Sequence, residues 1–290
     1  MTEKPSTSTQ NDKRSDKLLA ALGKDALAAA FQAADLASEV LKKHYGRLSH
    51  VDEKFQAGLV SEADRESERV IKEVLFKHFP GHQILGEETG LSGELNNALW
   101  MIDPLDGTTN YVHRVPFFCI SLGLEVDGEM LVGVVDAPLL GTRYHAISGE
   151  GAFISRTGAH AVPISISKRT LFREGLFATG FSSSDHTLDR QMELVTHAIR
   201  SARGIRRLGA AALDLCLVAE GIFDGFWERD LQPWDTAAGV LIAREAGALA
   251  TDYAGRIFEP RHSSILCATP SAHRHLMEII GRVENTKLDF

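Results

Sequence analysis

The chain has 290 residues, of which 44% are hydrophobic and 24% charged, and this composition excludes disorder over most of its length. The formal net charge of −8 disfavours nucleic-acid binding, because proteins that bind nucleic acids usually carry an excess of basic residues. The three cysteines are too few for a disulfide framework and lie in apolar stretches, as in a reduced cytoplasmic protein. No apolar run approaches the ~18 residues that a membrane span needs.

The N-terminal region begins with a polar segment. Met1–Lys17 lacks the apolar run of a secretory signal, so we expect residues 1–22 to form a disordered polar tail. Two helices follow in the prediction. The first covers Lys24–His44, where apolar residues recur at helical spacing. The second begins after the N-cap residue Ser61 and ends before Pro80.

The central region contains short apolar runs, which predict β-strands. A hairpin is the clearest of these features, because Asp127-Gly128 is a typical tight turn between two apolar segments. The strands predicted in this region are 83–85, 99–102, 117–126, 130–136, 143–147 and 152–155.

The second half of the chain alternates predicted strands and helices. The strands are 162–167, 222–227 and 265–269, and the helices are 188–201, 209–219, 234–246 and 271–280. Because strands occur in hairpins as well as between helices, the pattern favours an α/β (α+β) protein built as a layered, largely antiparallel sandwich. We expect an N-terminal α+β half at 23–158 and a C-terminal α/β half at 159–290.

The segment from Leu99 to Asn110 carries the strongest functional signal. Its apolar strand leads into the string DPLDGTTN, in which Asp103 and Asp106 are three positions apart. Two carboxylates in a rigid turn can bind one or two Mg²⁺ ions, which prefer oxygen ligands. The backbone N–H groups after Asp106 could hold a phosphate, especially if a helix starts there. An isolated DxxDG is more often an ordinary β-turn, but the longer string is far more specific.

Other acids lie at predicted strand ends or helix starts. Glu87 follows an apolar strand, and neighbouring strand ends would place it beside the DPLDG acids. Asp64 and Asp235 lie in the first turns of two predicted helices. Each could serve a cation or water, and each could instead cap its helix and favour the helix dipole. Glu228, at a strand end, would by itself be an ordinary surface acid.

Taken together, these segments make the sequence resemble the inositol monophosphatase family of metal-dependent, lithium-sensitive phosphatases. The resemblance covers about residues 28–281 and rests on WMIDPLDGTTNYVHRVPFF and PWDTAAGVLIAREAGA, with support from GEE at 86–88 and from RRLGAAALDLCLVAEGIFDGFWE. It implies a five-layered αβαβα sandwich that hydrolyses a small phosphorylated cyclitol or sugar. Family members are commonly homodimers. The acidic charge and the lack of an apolar span lead us to expect no nucleic-acid or membrane partner.

The resemblance also implies a ligand set for two to three Mg²⁺ ions. Glu87, Asp103 and the backbone carbonyl of Leu105 match ligands of the first ion. Asp103, Asp106 and Asp235 match ligands of the second. A third, weaker ion would depend on Glu87 and on waters.

Further residues match the family's catalytic and substrate contacts. Asp64 and Thr108 match a pair that orients the attacking water, with Glu87 as the third catalytic residue. The backbone N–H groups of Gly107 and Thr108 match the phosphate-binding positions. The positions that match contacts to sugar or cyclitol hydroxyls are Asp106, Ala211 and Glu228.

One departure from the family pattern lies before the second helix. Gly58 stands where the family often has an acid, and Ser61 stands in place of threonine. The main metal ligands are intact, so we expect hydrolysis to survive and the change to bear on the third ion. Arg229 and Asp230 are further candidates for a role in substrate choice.

Three functions remain open at this point. The first is hydrolysis of myo-inositol monophosphate or a similar sugar phosphate by a Mg²⁺-activated water. The second is a related phosphatase acting on histidinol phosphate, fructose 1,6-bisphosphate or 3′-phosphoadenosine 5′-phosphate. The third is a regulatory or RNA-machinery interaction protein with a secondary phosphatase activity, although the intact acids argue against an inactive scaffold.

Overall fold

The computed structural model describes residues 8–54, 58–181 and 185–285. Its helices are α1 (Ser8–His44), α2 (Glu62–His78), α3 (Thr108–Val112), α4 (Asp185–Ser201), α5 (Ala211–Ala219), α6 (Pro233–Glu245) and α7 (Pro270–Asn285). Its strands are β1 (Val51–Lys54), β2 (Gly58–Ser61), β3 (Gln83–Gly86), β4 (Gly90–Ser92), β5 (Ala98–Asp106), β6 (Cys119–Val126), β7 (Glu129–Ala137), β8 (Thr142–Ile147), β9 (Ala152–Arg156), β10 (Val162–Pro163), β11 (Leu176–Thr179), β12 (Gly204–Arg206), β13 (Gly225–Arg229), β14 (Leu249–Thr251) and β15 (Ser264–Ala268). None of the helices within the described ranges is long and apolar enough to cross a membrane.

Two large sheets form the frame of the molecule. The first has eight strands in the order β10-β9-β8-β7-β6-β5-β3-β4, and all its pairs are antiparallel except β3 with β5. The second has five strands in the order β12-β11-β13-β15-β14, with parallel pairs between β11 and its two neighbours. A short hairpin of β1 and β2 lies outside both sheets. The largely antiparallel arrangement agrees with the prediction.

The helices complete a sandwich of five layers. Helices α1 and α2 pack on one face of the eight-stranded sheet, and α5 and α6 lie between the two sheets. Helices α4 and α7 pack together on the outer face of the five-stranded sheet. The middle core contains Val135 from the first sheet and Leu215 and Ile242 from the second half of the chain. The predicted αβαβα layering is confirmed, and the division of the chain near Gly158 stays a prediction.

The boundaries of α1 and β10 differ from the prediction. Helix α1 begins at Ser8, so the polar tail predicted for residues 1–22 is wrong from Ser8 onward; residues 1–7 lie outside the described residues. This stretch contains neither glycine nor proline and continues directly into a packed helix, which favours helical extension. The strand predicted at 162–167 ends at Pro163, although the N–H of Ile164 still donates to the carbonyl of Ala152 on β9. The chain then turns toward the middle layer, where the N–H of Ile166 donates to the carbonyl of Ala246.

Two glycines of the eight-stranded sheet let α6 approach closely. A Cβ atom on Gly123 would lie 2.9 Å from the Cβ of Ala237, and one on Gly133 would lie 2.7 Å from the carbonyl oxygen of Ala238. Both distances are too short for a real contact, so a side chain at either position would displace the helix. Because α6 carries Asp235, this packing determines where that acid lies.

We expect Gly133→Ala to lower the free energy of unfolding by about 1–3 kcal/mol through overpacking against α6. Gly281→Ala in α7 is the matched control, because a Cβ there would meet nothing within 4 Å. That control should be neutral or should stabilise the protein by about 0.5–1 kcal/mol, as alanine favours a helix over glycine. Urea unfolding midpoints of the two variants measure the difference, and equal midpoints would contradict the close contact.

Candidate active site

The two acids of the DPLDG segment lie on one strand rather than at its end. Strand β5 continues to Asp106, and Asp103 pairs with Ser121 while Asp106 pairs with Cys119. Three residue steps on β5 therefore oppose two on β6, which is a β-bulge around Pro104. In a regular strand, residues three apart point to opposite faces. The bulge therefore places the side chains of Asp103 and Asp106 on the same face of the sheet.

That face of the sheet packs against the start of α6. The hydroxyl of Ser121, on the same face of β6, donates to the carbonyl of Trp234 at 3.0 Å. The helix begins with a capping box, in which the N–H of Gln232 donates to Oδ2 of Asp235 at 2.7 Å. Asp235 therefore has the helix-capping role that its position predicts, and it lies in the part of α6 that meets the acids of β5.

Glu87 reaches the same region from the neighbouring strand. Strands β3 and β5 are parallel, with Gly86 opposite Ile102, and the N–H of Glu87 donates to the carbonyl of Ile102 at 3.3 Å. The next residue on β5 is Asp103. Glu87 and Asp103 thus lie close together, as expected, although Asp103 lies within β5 and not at its end.

The buried carboxylates of this region repel one another. Asp103 and Asp106 are 2% and 8% exposed. Burial raises the pKa of Asp103 well above its ordinary value, and the charge of Glu87 raises it further, followed by Asp106 and Asp235. Burial also raises the pKa of Asp106, and the charge of Asp235 adds to it. Acids from three separate segments thus lie close enough for their charges to interact.

Backbone N–H groups hold the two acids of β5 in place. The N–H of Leu105 donates to Oδ1 of Asp103 at 2.9 Å. The N–H of Ala212, in the first turn of α5, donates to Oδ2 of Asp106 at 2.8 Å. These bonds orient each carboxylate without a positively charged partner, as a site that receives a cation requires.

The chemistry of these donors fits Mg²⁺. The side-chain donors are carboxylates, the carbonyl oxygen of Leu105 lies between two of them in the chain, and a divalent cation would relieve their mutual repulsion. Among the described residues, no group of three or more His, Cys, Asp or Glu side chains already meets the geometry of a metal site. The assignment of individual ligands therefore stays a prediction.

Asp64 has contacts suited to both roles considered for it. It is fully buried, and its Oδ2 accepts hydrogen bonds from the N–H and the hydroxyl of Ser61 at 2.8 and 2.6 Å, which forms the predicted helix cap. Its Oδ1 lies 3.1 Å from Oγ1 of Thr108. The same Oγ1 lies 3.0 Å from the carbonyl oxygen of Leu105. The Thr108 hydroxyl therefore connects the cap of α2 with the acidic strand.

The predicted phosphate-binding positions border a cleft of about 440 Å³. Gly107 precedes α3 with a φ of +91°, a conformation that favours glycine. A Cβ atom there would also lie 3.2 Å from the carbonyl oxygens of Phe117 and Gly209. The lining of the cleft includes Glu87, Gly107, Thr108, Asn110, Arg207 and Gly209.

The residues matched to substrate hydroxyls come from the second sheet and the middle layer. Ala211 is the first residue of α5 and is buried. Glu228 lies on β13, where burial raises its pKa to about 8 and the charge of Arg207 opposes this shift. The charge of Glu228 acts in turn on Asp106. Both predicted positions thus lie beside the acidic strand rather than on a remote surface.

Two residues near the site were not predicted. Asp214 in α5 is 1% exposed, and its Oδ1 has no hydrogen-bond partner among the described residues. Burial raises its pKa well above the ordinary value, and the charge of Asp106 adds to this. An acid inside the apolar run AALDLCLVA was the available sequence signal. Arg207 is the other, and it lines the cleft.

Arg229, predicted to bear on substrate choice, is directed elsewhere. Its guanidinium forms an ion pair with Glu284 of α7 and lies 4.4 Å from the ring centre of Tyr253. This arginine therefore joins β13 to the outer helices and is not among the residues that line the cleft.

Comparison with known proteins identifies the family. The model of the inositol monophosphatase family matches residues 24–286. The chain belongs to the inositol monophosphatase family. The resemblance predicted from the DPLDGTTN and PWDTAAG segments is therefore confirmed, and with it the assignment of the chain as a phosphatase.

Similar proteins within the family carry different functional names. Inositol-1-monophosphatase of Rhizobium meliloti is 39% identical, covering 87% of this chain and 94% of the relative. Fructose-1,6-bisphosphatase/inositol-1-monophosphatase of Aquifex aeolicus is 35% identical, covering 83% and 89%. The putative Nus factor SuhB of Neisseria meningitidis is 38% identical, covering 87% and 96%. Family membership therefore establishes a phosphatase without selecting its substrate.

The fold is also shared with solved structures. Extragenic suppressor protein SuhB from Bartonella henselae superposes with a TM-score of 0.83 at 35% identity, covering 88% of this chain and 98% of that one. An inositol monophosphatase from Thermotoga maritima gives a TM-score of 0.81 at 32% identity, covering 90% and 98%. The layered arrangement described above is thus the fold of these proteins.

Proposed function

We propose that the chain is a Mg²⁺-dependent phosphatase that hydrolyses a small phosphate monoester, with myo-inositol monophosphate as its substrate. The observation that carries this proposal is that Glu87, which follows β3, lies close to the acids of β5 and α6 beside a cleft. The charge of Asp103 interacts with those of Glu87, Asp106 and Asp235. Burying such a cluster costs free energy unless cations bind to it. Cations at this place would also neutralise the negative charge of a phosphate substrate.

The acids would hold two to three Mg²⁺ ions. Glu87, Asp103 and the carbonyl of Leu105 would serve the first ion. Asp103, Asp106 and Asp235 would serve the second, and Glu87 with waters would serve a third. When bound, Mg²⁺ would add positive charge at the phosphate and lower the pKa of a coordinated water.

Asp64 and Thr108 would orient the attacking water. The Thr108 hydroxyl lies 3.1 Å from Oδ1 of Asp64, so it can donate its proton to that carboxylate while its lone pair accepts a hydrogen bond from water. Asp64 is itself held by two hydrogen bonds from Ser61. This chain of contacts would direct a lone pair of the water toward the phosphorus. Glu87, as the third catalytic residue, would act on the same water.

Backbone and side-chain groups would position the ester. Gly107 and Thr108 border the cleft at the start of α3, and their N–H groups would bind phosphate oxygens. Asp106, Ala211 and Glu228 would contact the hydroxyl groups of the cyclitol or sugar. Because a water would attack the phosphorus directly, no covalent phosphoenzyme is required, and the departing alkoxide would take its proton from a second water.

The resemblance supports three further parts of the proposal. We propose that the protein acts in the cytoplasm, that it forms a homodimer, and that lithium inhibits it. Gly58, in place of the family acid, lies at the start of β2, next to Leu59 at the rim of the cleft. Its effect would therefore fall on the third ion rather than on the acids of β5.

A second candidate function is a regulatory interaction of the kind suggested by the name Nus factor in relatives such as that of Neisseria meningitidis. This role is compatible with the first, because the surface that recognises a macromolecule need not involve the acids of the cleft. The phosphatase remains the better supported proposal, since it accounts for the buried acids.

We expect purified protein to release phosphate from myo-inositol 1-phosphate in the presence of Mg²⁺ and not after chelation, and lithium to inhibit the reaction. Phosphate release is measured on a panel with histidinol phosphate, fructose 1,6-bisphosphate and 3′-phosphoadenosine 5′-phosphate. Higher kcat/KM on one of these would replace the proposed substrate. Undiminished release without divalent ions would contradict the metal-dependent mechanism.

The same assay tests whether phosphate release needs the charge of Asp235 in addition to its role as a helix cap. Asp235→Asn keeps an oxygen that can cap α6 but loses the charge, so phosphate release should fall by about 10²-fold or more. Asp127→Asn is the matched control, because Asp127 lies in the exposed β6–β7 turn with a φ of 54° that asparagine tolerates. Equal activity of both variants would exclude Asp235 as a metal ligand.

Removal of one hydroxyl tests the water-orienting pair. Thr108→Val preserves shape but breaks the link between Asp64 and the cleft, so kcat should fall about 10²-fold. Thr109→Val changes the exposed neighbouring residue in the same way and should retain activity. Circular dichroism of both variants controls for folding, and an unchanged kcat for Thr108→Val would remove this residue from the mechanism.

The interaction role predicts binding that does not depend on catalysis. If it holds, Asp235→Asn and the wild type should both retain RNA or proteins of the RNA machinery during purification at moderate salt. Bound components are identified by mass spectrometry and nucleic-acid staining. Absence of such components from both preparations would contradict the second candidate.

A further inference from the structure

The inner face of α2 carries three buried polar side chains. Asp64, Ser67 and Glu68 occupy positions i, i+3 and i+4, so they lie on the same face of the helix. Glu68 is only 1% exposed. Burying a carboxyl group costs free energy unless its oxygens receive hydrogen bonds, so the partners of Glu68 indicate what this residue does.

Both oxygens of Glu68 bind the turn that follows Glu87. Oε2 accepts a hydrogen bond from the N–H of Glu88 at 2.8 Å, and Oε1 accepts one from the hydroxyl of Thr89. The Thr89 hydroxyl in turn accepts a hydrogen bond from Nζ of Lys72 at 2.7 Å. The lysine polarises this hydroxyl and thereby strengthens its bond to Glu68. Glu68 therefore holds the residues on the C-terminal side of Glu87.

Gly86, on the N-terminal side of Glu87, lies directly against the same carboxylate. A Cβ atom on Gly86 would lie 2.7 Å from Cδ and Oε2 of Glu68 and 2.8 Å from Oε1, which is shorter than the contacts that real Cβ atoms make. Gly86 is also fixed by the sheet, where it pairs with Ile102 of β5. The chain is therefore held on both sides of Glu87, by β5 before it and by α2 after it.

Ser67 connects α2 to the strand that carries the other acids. Its hydroxyl donates to the carbonyl of Pro104 at 3.0 Å, within the bulge that lies between Asp103 and Asp106. The next residue of the helix is Glu68. Two adjacent residues of one helix thus bind the two segments whose acids would have to meet around a cation, and α2 sets the position of one segment relative to the other.

We propose that Glu68 is a positioning residue for metal binding, which holds the turn after Glu87 so that this acid lies beside Asp103 before a cation arrives. The inference rests on the proposed phosphatase function and adds to it a residue outside the ligand set. Glu68 would not itself be a ligand, because Glu88 and Thr89 engage its two oxygens. Partners that orient a metal ligand typically contribute about 10-fold to 100-fold to metal affinity.

Calorimetric titration with Mg²⁺ in the absence of substrate tests this role. Glu68→Gln preserves the shape of the side chain, but its single amide oxygen replaces two acceptor oxygens, so the Kd for Mg²⁺ should rise about 10-fold or more. Excess Mg²⁺ should restore most of the phosphate release, because the ligands remain. Glu73→Gln is the matched control, since Glu73 is an exposed acid of the same helix, and it should leave the Kd unchanged.

Thr89 offers a second pair of variants that leaves the buried face of α2 intact. Thr89 is exposed, and Thr89→Val removes its hydroxyl while preserving its shape. The Kd for Mg²⁺ should rise by a smaller factor of about 3, because one of the two bonds to Glu68 is lost. Thr89→Ser retains the hydroxyl and should retain the affinity. If Glu68→Gln does not fold, equal Kd values for these two variants overturn the inference.

The outcomes distinguish this inference from the proposed function. Lower stability of metal-free Glu68→Gln with an unchanged Kd would show a structural role only and overturn the inference. A smaller number of bound ions in that variant would overturn it as well, because Glu68 would then be a ligand. A wild type that binds Mg²⁺ but releases no phosphate from the panel contradicts the proposed function alone, whereas a wild type that binds no Mg²⁺ contradicts both.

Discussion

Like charges held together inside a protein cost free energy, and the middle of this molecule contains several of them. The negative charges of Glu87, Asp106 and Asp235 all raise the pKa of Asp103. Backbone N–H groups, rather than lysine or arginine, orient the acids of β5. The surrounding fold must therefore supply enough free energy to offset the repulsion. A bound cation would remove part of that repulsion.

The five-layered architecture explains how these groups meet. Strands β3 and β5 belong to the eight-stranded sheet, whereas α5 and α6 form the layer between the sheets. Gly123 and Gly133 let α6 settle close to the first sheet, and the N–H of Ala212 connects α5 to Asp106. The residues proposed to contact the substrate, Glu228 and Ala211, lie on β13 and at the start of α5. The cleft is a product of both sheets, which is why no single segment of the chain contains it.

Local sequence patterns predicted several residues of the candidate site, but they could not predict features that depend on contacts between distant segments. DPLDGTTN, GEE and PWDTAAG each place an acid at a recognisable strand end or helix start, so Asp103, Glu87 and Asp235 could be proposed from the sequence. The bulge at Pro104 could not, since it exists only in register with β6. The sequence does not distinguish the surroundings of Arg207 and Arg229. The fold places Arg207 at the cleft and pairs Arg229 with Glu284. The helical start at Ser8 likewise depends on the packed helix that follows it.

Asp64 and Asp235 share a feature with a wider consequence: each is the third residue of a helix whose start it caps. Their orientation is therefore determined within a few residues, as soon as the first helical turn forms. With the proposed roles, an arriving ion or water would meet carboxylates whose side-chain rotamers are already fixed, so little side-chain entropy would be lost on binding. In the proposed mechanism, helix initiation and catalysis would draw on the same atoms, so a substitution at either acid would disturb both.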